Sequence, residues 1–375
     1  MSQQQQHSYI ISGGGTGGHV FPAISIANAL REIDPDCDIL FVGATGKLEM
    51  EKVPEAGYPI VGLPVVGLQR RLTVRNLSFP AKLFMSLQKA KRILNDFNPD
   101  VVVGVGGYAS GPMLRKAAAK GIPTLIQEQN SYAGLTNKLL ARSASTICVA
   151  YKGMETYFPR DKIVFTGNPV RQDLLDVNKF RDEALAHFEL VPDKKTLLII
   201  GGSLGAGTIN KSIAAGLAQF REQNIQVVWQ CGKLYYEKYK QIVGPEIGNN
   251  IHLYPFIKEM KLAYAAADVI VSRAGAGTIS ELAIVGKPVV LVPSPNVAED
   301  HQTRNAMSLV RNGAALIITN SEAEEKLVRE TIDLMGDQNK ILSFGENIKK
   351  LAMPDAAKNI ATEIIKLVAD KKYGA

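Results

Sequence analysis

Residues 10–30 read IISGGGTGGHVFPAISIANAL. A short apolar run meets a turn built from Gly13, Gly14, Gly15, Thr16, Gly17 and Gly18, and His19 then opens a stretch in which Ile26, Leu30 and Ile33 recur at helical spacing. Strand, glycine turn and helix together form the opening unit of a parallel α/β sheet. Glycine lets the backbone turn tightly and a ligand approach it, while the helix start offers unpaired N–H groups and a positive dipole end, so the turn is a candidate anion site. The embedded G-x-G-x-x-G (Gly13, Gly15, Gly18) raises the idea of a dinucleotide. That fingerprint needs an acid at the carboxyl end of the second strand. Asp34, Asp36 and Asp38 precede the strand ILFVG instead, and GATGK after it contains none. The same placement argues against these aspartates as a metal-binding D-x-D. His19 is the residue a plain phosphate cradle does not require. At a helix start the dipole favours neutral imidazole, which suits a general base acting on a hydroxyl; a histidine that caps or packs the loop is the alternative.

Outward from this unit the same alternation recurs. Strands are expected at YIIS, CDILFVG, VVVGVG, PTLIQ, STICVA and KIVFTG, and again at TLLIIGG, QVVWQCG, IHLYPF, DVIVSRAG, PVVLVP and AALIIT, with helices between them. The fold class is therefore α/β, with doubly wound parallel sheets. A boundary falls after Asn168-Pro169, a turn signal, and before the fresh strand that follows VPDKK. Three more glycine turns follow strands: VVVGVGGYASGP, LLIIGGSLGAGTIN and VIVSRAGAGTISE. One such turn is weak evidence for a ligand; four, divided between two halves, are harder to assign to packing alone.

The 375 residues suffice for about two domains. With 46% hydrophobic and 21% charged residues the chain is globular, neither disordered nor fibrous. Cys37, Cys148 and Cys231 are far apart, which fits a reducing compartment and no structural zinc. MSQQQQHSY has neither a basic start nor an apolar stretch, so no secretory signal is expected, and no run nears the roughly 18–20 apolar residues of a membrane span. The net charge of +7 leaves an anionic partner open. From Ala56 through Asn95 there is no acidic residue, whereas Arg70, Arg71, Arg75, Lys82, Lys89, Lys91 and Arg92 all occur, interleaved with Leu72, Phe79, Leu83, Phe84 and Met85. That mixture suits contact with anionic lipid, or else a solvated basic helix with an ordinary core face. Nucleic acid is not expected, because no reading module accompanies the basic stretch.

Together GGGTGGHVFPA, GVGGYASGP, QEQNSYAGLTNK, FTGNPVR, IIGGSLGA, SRAGAGTISEL and AEDHQTRNA resemble the peptidoglycan glycosyltransferases of family 28, which add N-acetylglucosamine to lipid-linked muramyl-pentapeptide. The resemblance runs from about residue 10 to about residue 315, in the family's order. It implies a GT-B fold, two Rossmann-like domains facing across a cleft. Residues 1–166 would take the acceptor and the membrane, 167–349 would take UDP-N-acetylglucosamine, and the closing helix, 350–375, would return to the first domain. It implies no cofactor and no bound metal.

Carried over by motif, Thr16, Gly17, Gly18 and Asn130 would contact the donor sugar. Arg171 and Ser203 would lie by the nucleotide and diphosphate, and Ile257 would hold uracil through its main chain. Ala276, Gly277 and Thr278 would meet phosphate, Glu281 the ribose hydroxyls, and His301 and Gln302 the sugar hydroxyls. Gly14, Gly15, Gly106, Gly107, Tyr108 and Ser110 would face the pyrophosphate of a polyprenyl-pyrophosphoryl-muramyl-pentapeptide acceptor. His19 is the first choice for the base, with Glu128 in reserve. A membrane-bound acceptor implies a peripheral enzyme at the cytoplasmic face of the membrane, with residues 65–92 as the contact. Thr278-x-x-Glu281 also reads as a capping box. Gln127 and Leu204 depart from the family's frequent histidine and glutamine. The rival readings are a UDP-N-acetylglucosamine 2-epimerase or another lipid glycosyltransferase on the same fold and, from a different class, an NAD-dependent oxidoreductase.

Overall fold

The computed structural model describes residues 6–65, 79–202, 204–244, 247–297 and 300–373. Ser203 and most of the basic segment, including Arg70, Arg71 and Arg75, lie outside the described residues. The chain divides into two compact units, Met1–Val170 with Pro354–Ala375, and Arg171–Met353.

Among the described residues the first unit holds seven strands: β1 Ser8–Ser12, β2 Asp38–Ala44, β3 Ile60–Leu63, β4 Val101–Gly104, β5 Thr124–Glu128, β6 Thr146–Val149 and β7 Ile163–Phe165. All pair in parallel, in the order β3-β2-β1-β4-β5-β6-β7. Parallel strands need crossovers, and helices therefore cover both faces of the sheet, which is why the inner strands read as continuous apolar runs. Val101, Val102 and Val103 are all fully buried. One face packs against α1, Gly17–Ile33, and the terminal helix Ala356–Tyr373, whose Ile360 and Ile364 are fully buried. The other packs against α3, Phe79–Phe97, and α4, Ser110–Ala119. α2, Glu49–Glu55, and α5, Leu135–Leu140, are short.

Among its described residues the second unit has six parallel strands, β8 Thr196–Ile200, β9 Gln226–Gln230, β10 Ile251–Tyr254, β11 Val269–Ser272, β12 Val289–Leu291 and β13 Ala315–Ile317, in the order β10-β9-β8-β11-β12-β13.

Both orders reverse direction beside the first strand of their unit. Ligands of open α/β sheets bind at such switch points, outside the carboxyl ends of the strands. In the first unit Ser12 pairs with Gly104, so the glycine turns after β1 and β4 leave the sheet side by side. In the second, Ile200 pairs with Ser272, and the turns after β8 and β11 do the same.

Two elements differ from the sequence expectation. β3 was absent from it, because four residues next to a Gly-Tyr-Pro turn carry too little pattern. α1 begins at Gly17, six residues before the apolar periodicity becomes visible, and it continues through Pro22. His19 consequently sits in its first turn.

Candidate active site

In the turn after β1, Gly14 and Gly15 have φ of +141° and +92°, values that side chains rarely adopt. The turn is held by a residue that the motifs did not reveal. Glu49, only 1% exposed, accepts from the Gly15 amide at 2.7 Å through Oε2 and from the Ala44 amide at 2.8 Å through Oε1. The Gly15 N–H is thus engaged by a carboxylate, and a diphosphate at this turn needs other donors. Nothing local in the sequence tied Glu49 to a loop 34 residues earlier.

Thr16 caps α1 in extended conformation. The His19 Nδ1 lies 3.2 Å from Thr16 Oγ1. In the tautomer with hydrogen on Nδ1, that nitrogen donates to the threonine and Nε2 carries the lone pair. The ring also abuts the second glycine turn: a Cβ at Gly106 would stand 2.8 Å from His19 Nε2. Pro22 has no N–H to return to Gly18, whose carbonyl therefore stays outside the helical ladder.

The second turn packs directly on the first. Gly106 and Gly107 have φ of +91° and +81°, and a Cβ on Gly107 would meet the Gly14 carbonyl oxygen at 2.3 Å. Ser110, buried at the start of α4, donates to the Gly107 carbonyl at 3.0 Å, while Tyr108 is exposed.

Glu128 ends β5 and is saturated with donors. Oε1 accepts from the Asn130 amide at 3.1 Å and from Asn130 Nδ2 at 3.4 Å, and Oε2 from the Gly134 amide at 2.9 Å and Asn137 Nδ2 at 2.8 Å. Burial pushes its pKa up, and these four donors oppose the shift. The geometry makes Glu128 the anchor of the loop carrying Asn130. Gln127 joins a buried amide network, giving Nε2 to Asn168 at 3.1 Å and also bonding Gln129.

In the second unit the turn after β8 is braced by Gln230, which donates to the Gly202 carbonyl at 3.1 Å and accepts from the Ile257 amide at 2.8 Å. The Ile257 N–H is therefore used within the protein. Leu204 is exposed. After β11, Gly275 caps the helix Ala276–Val285, with Ala276, Gly277 and Thr278 in its first turn. No capping box forms, since Thr278 lies inside the helix and Glu281 accepts instead from the Tyr264 hydroxyl at 3.0 Å. Burial pushes the Glu281 pKa up, against the pull of Tyr264 and Arg171. Arg171 forms a two-point pair with Asp173, at 2.9 Å and 2.6 Å. Arg273, another residue the motifs left unassigned, donates to the Val292 and Pro293 carbonyls and to Asn320, tying together the loops after β12 and β13. The first of these loops gives its Ser294 amide to Gln302 Oε1 at 2.8 Å, beside His301 at the start of the helix His301–Val310.

Two Rossmann-like units, each with a pair of glycine turns at its switch point, define the GT-B class of sugar-nucleotide enzymes. The glycosyltransferase family 28 N-terminal domain matches residues 9–149 and the family's C-terminal domain matches residues 196–360. The chain belongs to glycosyltransferase family 28. It is 53% identical, over 98% of its length and all of the relative's, to the UDP-N-acetylglucosamine–N-acetylmuramyl-(pentapeptide) pyrophosphoryl-undecaprenol N-acetylglucosamine transferase of Flavobacterium psychrophilum. To the Bacteroides thetaiotaomicron protein of the same name it is 57% identical, over 96% of this chain and 97% of that one. The crystal structure of Acinetobacter baumannii MurG superposes with a TM-score of 0.77 at 30% identity, covering 96% of this chain and all of the other. A UDP-N-acetylglucosamine 2-epimerase from Neisseria meningitidis shares the fold, with a TM-score of 0.67 at 14% identity, over 96% of this chain and all of that one.

Proposed function

We infer that this chain is a hexosyltransferase of peptidoglycan synthesis, moving N-acetylglucosamine from UDP-N-acetylglucosamine to the C4 hydroxyl of a polyprenyl-pyrophosphoryl-muramyl-pentapeptide and so converting lipid I to lipid II. The observation that carries this reading is identity above half, over nearly the full chain, with relatives bearing that activity in their names.

The acceptor oxygen attacks the anomeric carbon, the bond from that carbon to the diphosphate breaks with its electron pair leaving on UDP, and the linkage inverts to β. His19 takes the hydroxyl proton at Nε2, with Thr16 holding Nδ1. Because Glu128 already accepts four hydrogen bonds, we assign it to positioning Asn130 for the donor sugar. The leaving diphosphate gathers charge that the helix start at Ala276, Gly277 and Thr278 can meet with fixed N–H groups. Arg171 and Ser203 belong to the same nucleotide site, Glu281 to the ribose, His301 and Gln302 to the sugar, and Ile257 to uracil, there through its carbonyl, since its N–H is engaged. The acceptor pyrophosphate falls to Gly14, Gly106, Gly107, Tyr108 and Ser110, with the Gly15 amide the least suited of that set.

We further propose peripheral attachment at the cytoplasmic membrane face. No helix among the described residues is long and apolar enough to cross a bilayer. On α3, Leu83, Phe84 and Met85 are 38%, 62% and 56% exposed in succession, so they are not core. Leu83 also lines a pocket of about 460 Å³ together with Phe79, Leu87, Leu139, Lys82 and Arg115. Apolar groups ringed by cations suit the interface of an anionic bilayer.

Transfer of labelled N-acetylglucosamine to a lipid I analogue tests the reaction. His19→Ala should lower kcat about 10²- to 10⁴-fold with the donor KM nearly unchanged. Full activity in that variant would remove His19 as the base, and absence of transfer by the unaltered chain would remove the reaction itself.

A further inference from the structure

The carboxylate assigned above to the ribose is held from behind by a residue that no motif contains. Tyr264, in the helix Met260–Ala266, is 1% exposed, and its hydroxyl donates to Glu281 Oε2 at 3.0 Å. We propose that Tyr264 is a positioning residue for donor recognition: it fixes Glu281 Oε2 and so presents Oε1 to a ribose hydroxyl of the sugar nucleotide. The inference rests on the reading of Glu281 as the ribose acceptor.

The physical need is specific. A glutamate has three side-chain torsions, and ordering them when the ligand arrives would weaken binding. One hydrogen bond from a ring locked in the core removes much of that cost in advance. Burial and the neighbouring carboxylate push the tyrosine's own pKa far up, so it stays a donor at any working pH. Arg171, which precedes the short helix Gln172–Leu174, adds positive charge that favours ionised Glu281, while its fork grips Asp173 and so leaves the oxygen contact to Tyr264. A hydroxyl buried this deeply would be costly without its partner, so the contact is one that folding itself enforces.

Calorimetric titration of the full chain with UDP and with 2′,3′-dideoxy-UDP, in the unaltered protein, Tyr264→Phe and Glu281→Gln, separates the cases. In Tyr264→Phe, UDP affinity should fall about five- to tenfold, because Glu281 must then be ordered as the ligand arrives. Dideoxy-UDP affinity should not change, because that ligand makes no use of Glu281. The KM for UDP-N-acetylglucosamine should rise in proportion, with kcat within about twofold. Undiminished preference for UDP over dideoxy-UDP in Tyr264→Phe would overturn the proposal. Equal loss of both ligands would overturn it too, because that marks a role in folding rather than positioning. Unchanged UDP binding in Glu281→Gln would overturn the ribose assignment and the Tyr264 proposal with it.

Discussion

Three buried or recessed carboxylates, Glu49, Glu128 and Glu281, each accept hydrogen bonds from protein donors. Glu128 shows most clearly why residue type matters. Glutamine in its place has one accepting oxygen and an NH₂ that would confront either the Asn130 or the Gly134 and Asn137 donors. Glu128→Gln should therefore displace Asn130, costing about 1–3 kcal/mol of stability and roughly tenfold or more in transfer rate, as read by thermal unfolding and product formation. The pH dependence has a definite sign. Because burial raises the folded pKa of Glu128 above its unfolded value, the native state keeps a proton that the unfolded chain has lost, and stability from this group falls as pH rises through that window. The unfolding temperature of the unaltered protein relative to Glu128→Gln should then decline as pH rises from about 4 through the raised folded value. A rising difference would contradict the assignment. The motifs singled out His19, Asn130 and Glu281 for the proposed site; they did not single out Glu49, Tyr264 and Arg273, each of which bonds a segment distant in sequence.

At the scale of elements, the glycine turns are legible as turns but not as pairs. Sequence shows four strand-to-glycine transitions; sheet order decides that the first leaves beside the second and the third beside the fourth. The first pairing is tight enough to be tested by two glycines of matched φ. Gly107 and Gly153 have φ of +81° and +83°, so alanine pays a similar conformational cost at both. A Cβ at Gly153 meets nothing within 4 Å, whereas at Gly107 it strikes the Gly14 carbonyl oxygen at 2.3 Å. Gly153→Ala should cost about 1–2 kcal/mol and spare activity. Gly107→Ala should cost clearly more and abolish transfer, because the only relief is to push apart the turns that place His19. Equal unfolding midpoints for the two variants would show that the turns are not in rigid contact. The early start of α1 belongs to this scale as well: Gly17, Gly18 and Pro22 all disfavour a helix, and packing of Val20 and Ala23 against the sheet overrides them.

Across the whole molecule, the terminal segment reads from sequence only as an amphipathic helix. Its partner is the first unit, where Ile360 and Ile364 close the core over α1, and the resemblance rather than the periodicity implied that return. The basic stretch presents the reverse case. Its composition left lipid contact and ordinary core equally open, and the exposure of Leu83, Phe84 and Met85 favours lipid for the described part of α3. Lys82→Glu combined with Arg115→Glu should weaken binding to anionic vesicles by about fivefold or more per charge, and added salt should weaken the unaltered protein in the same way. Unchanged binding in a flotation assay, with UDP binding intact, would refute attachment through this face.

By itself the sequence determined the α/β class, the alternation of strands and helices, and the four glycine turns, because these follow from local periodicity and from the residue type that turns the backbone most freely. Tertiary structure alone decided which turns adjoin, which amide of the first turn is already occupied by Glu49, and which carboxylate is steadied by Tyr264. Those are contacts across 34 and 17 residues of chain, and no local pattern encodes the partner at such a distance.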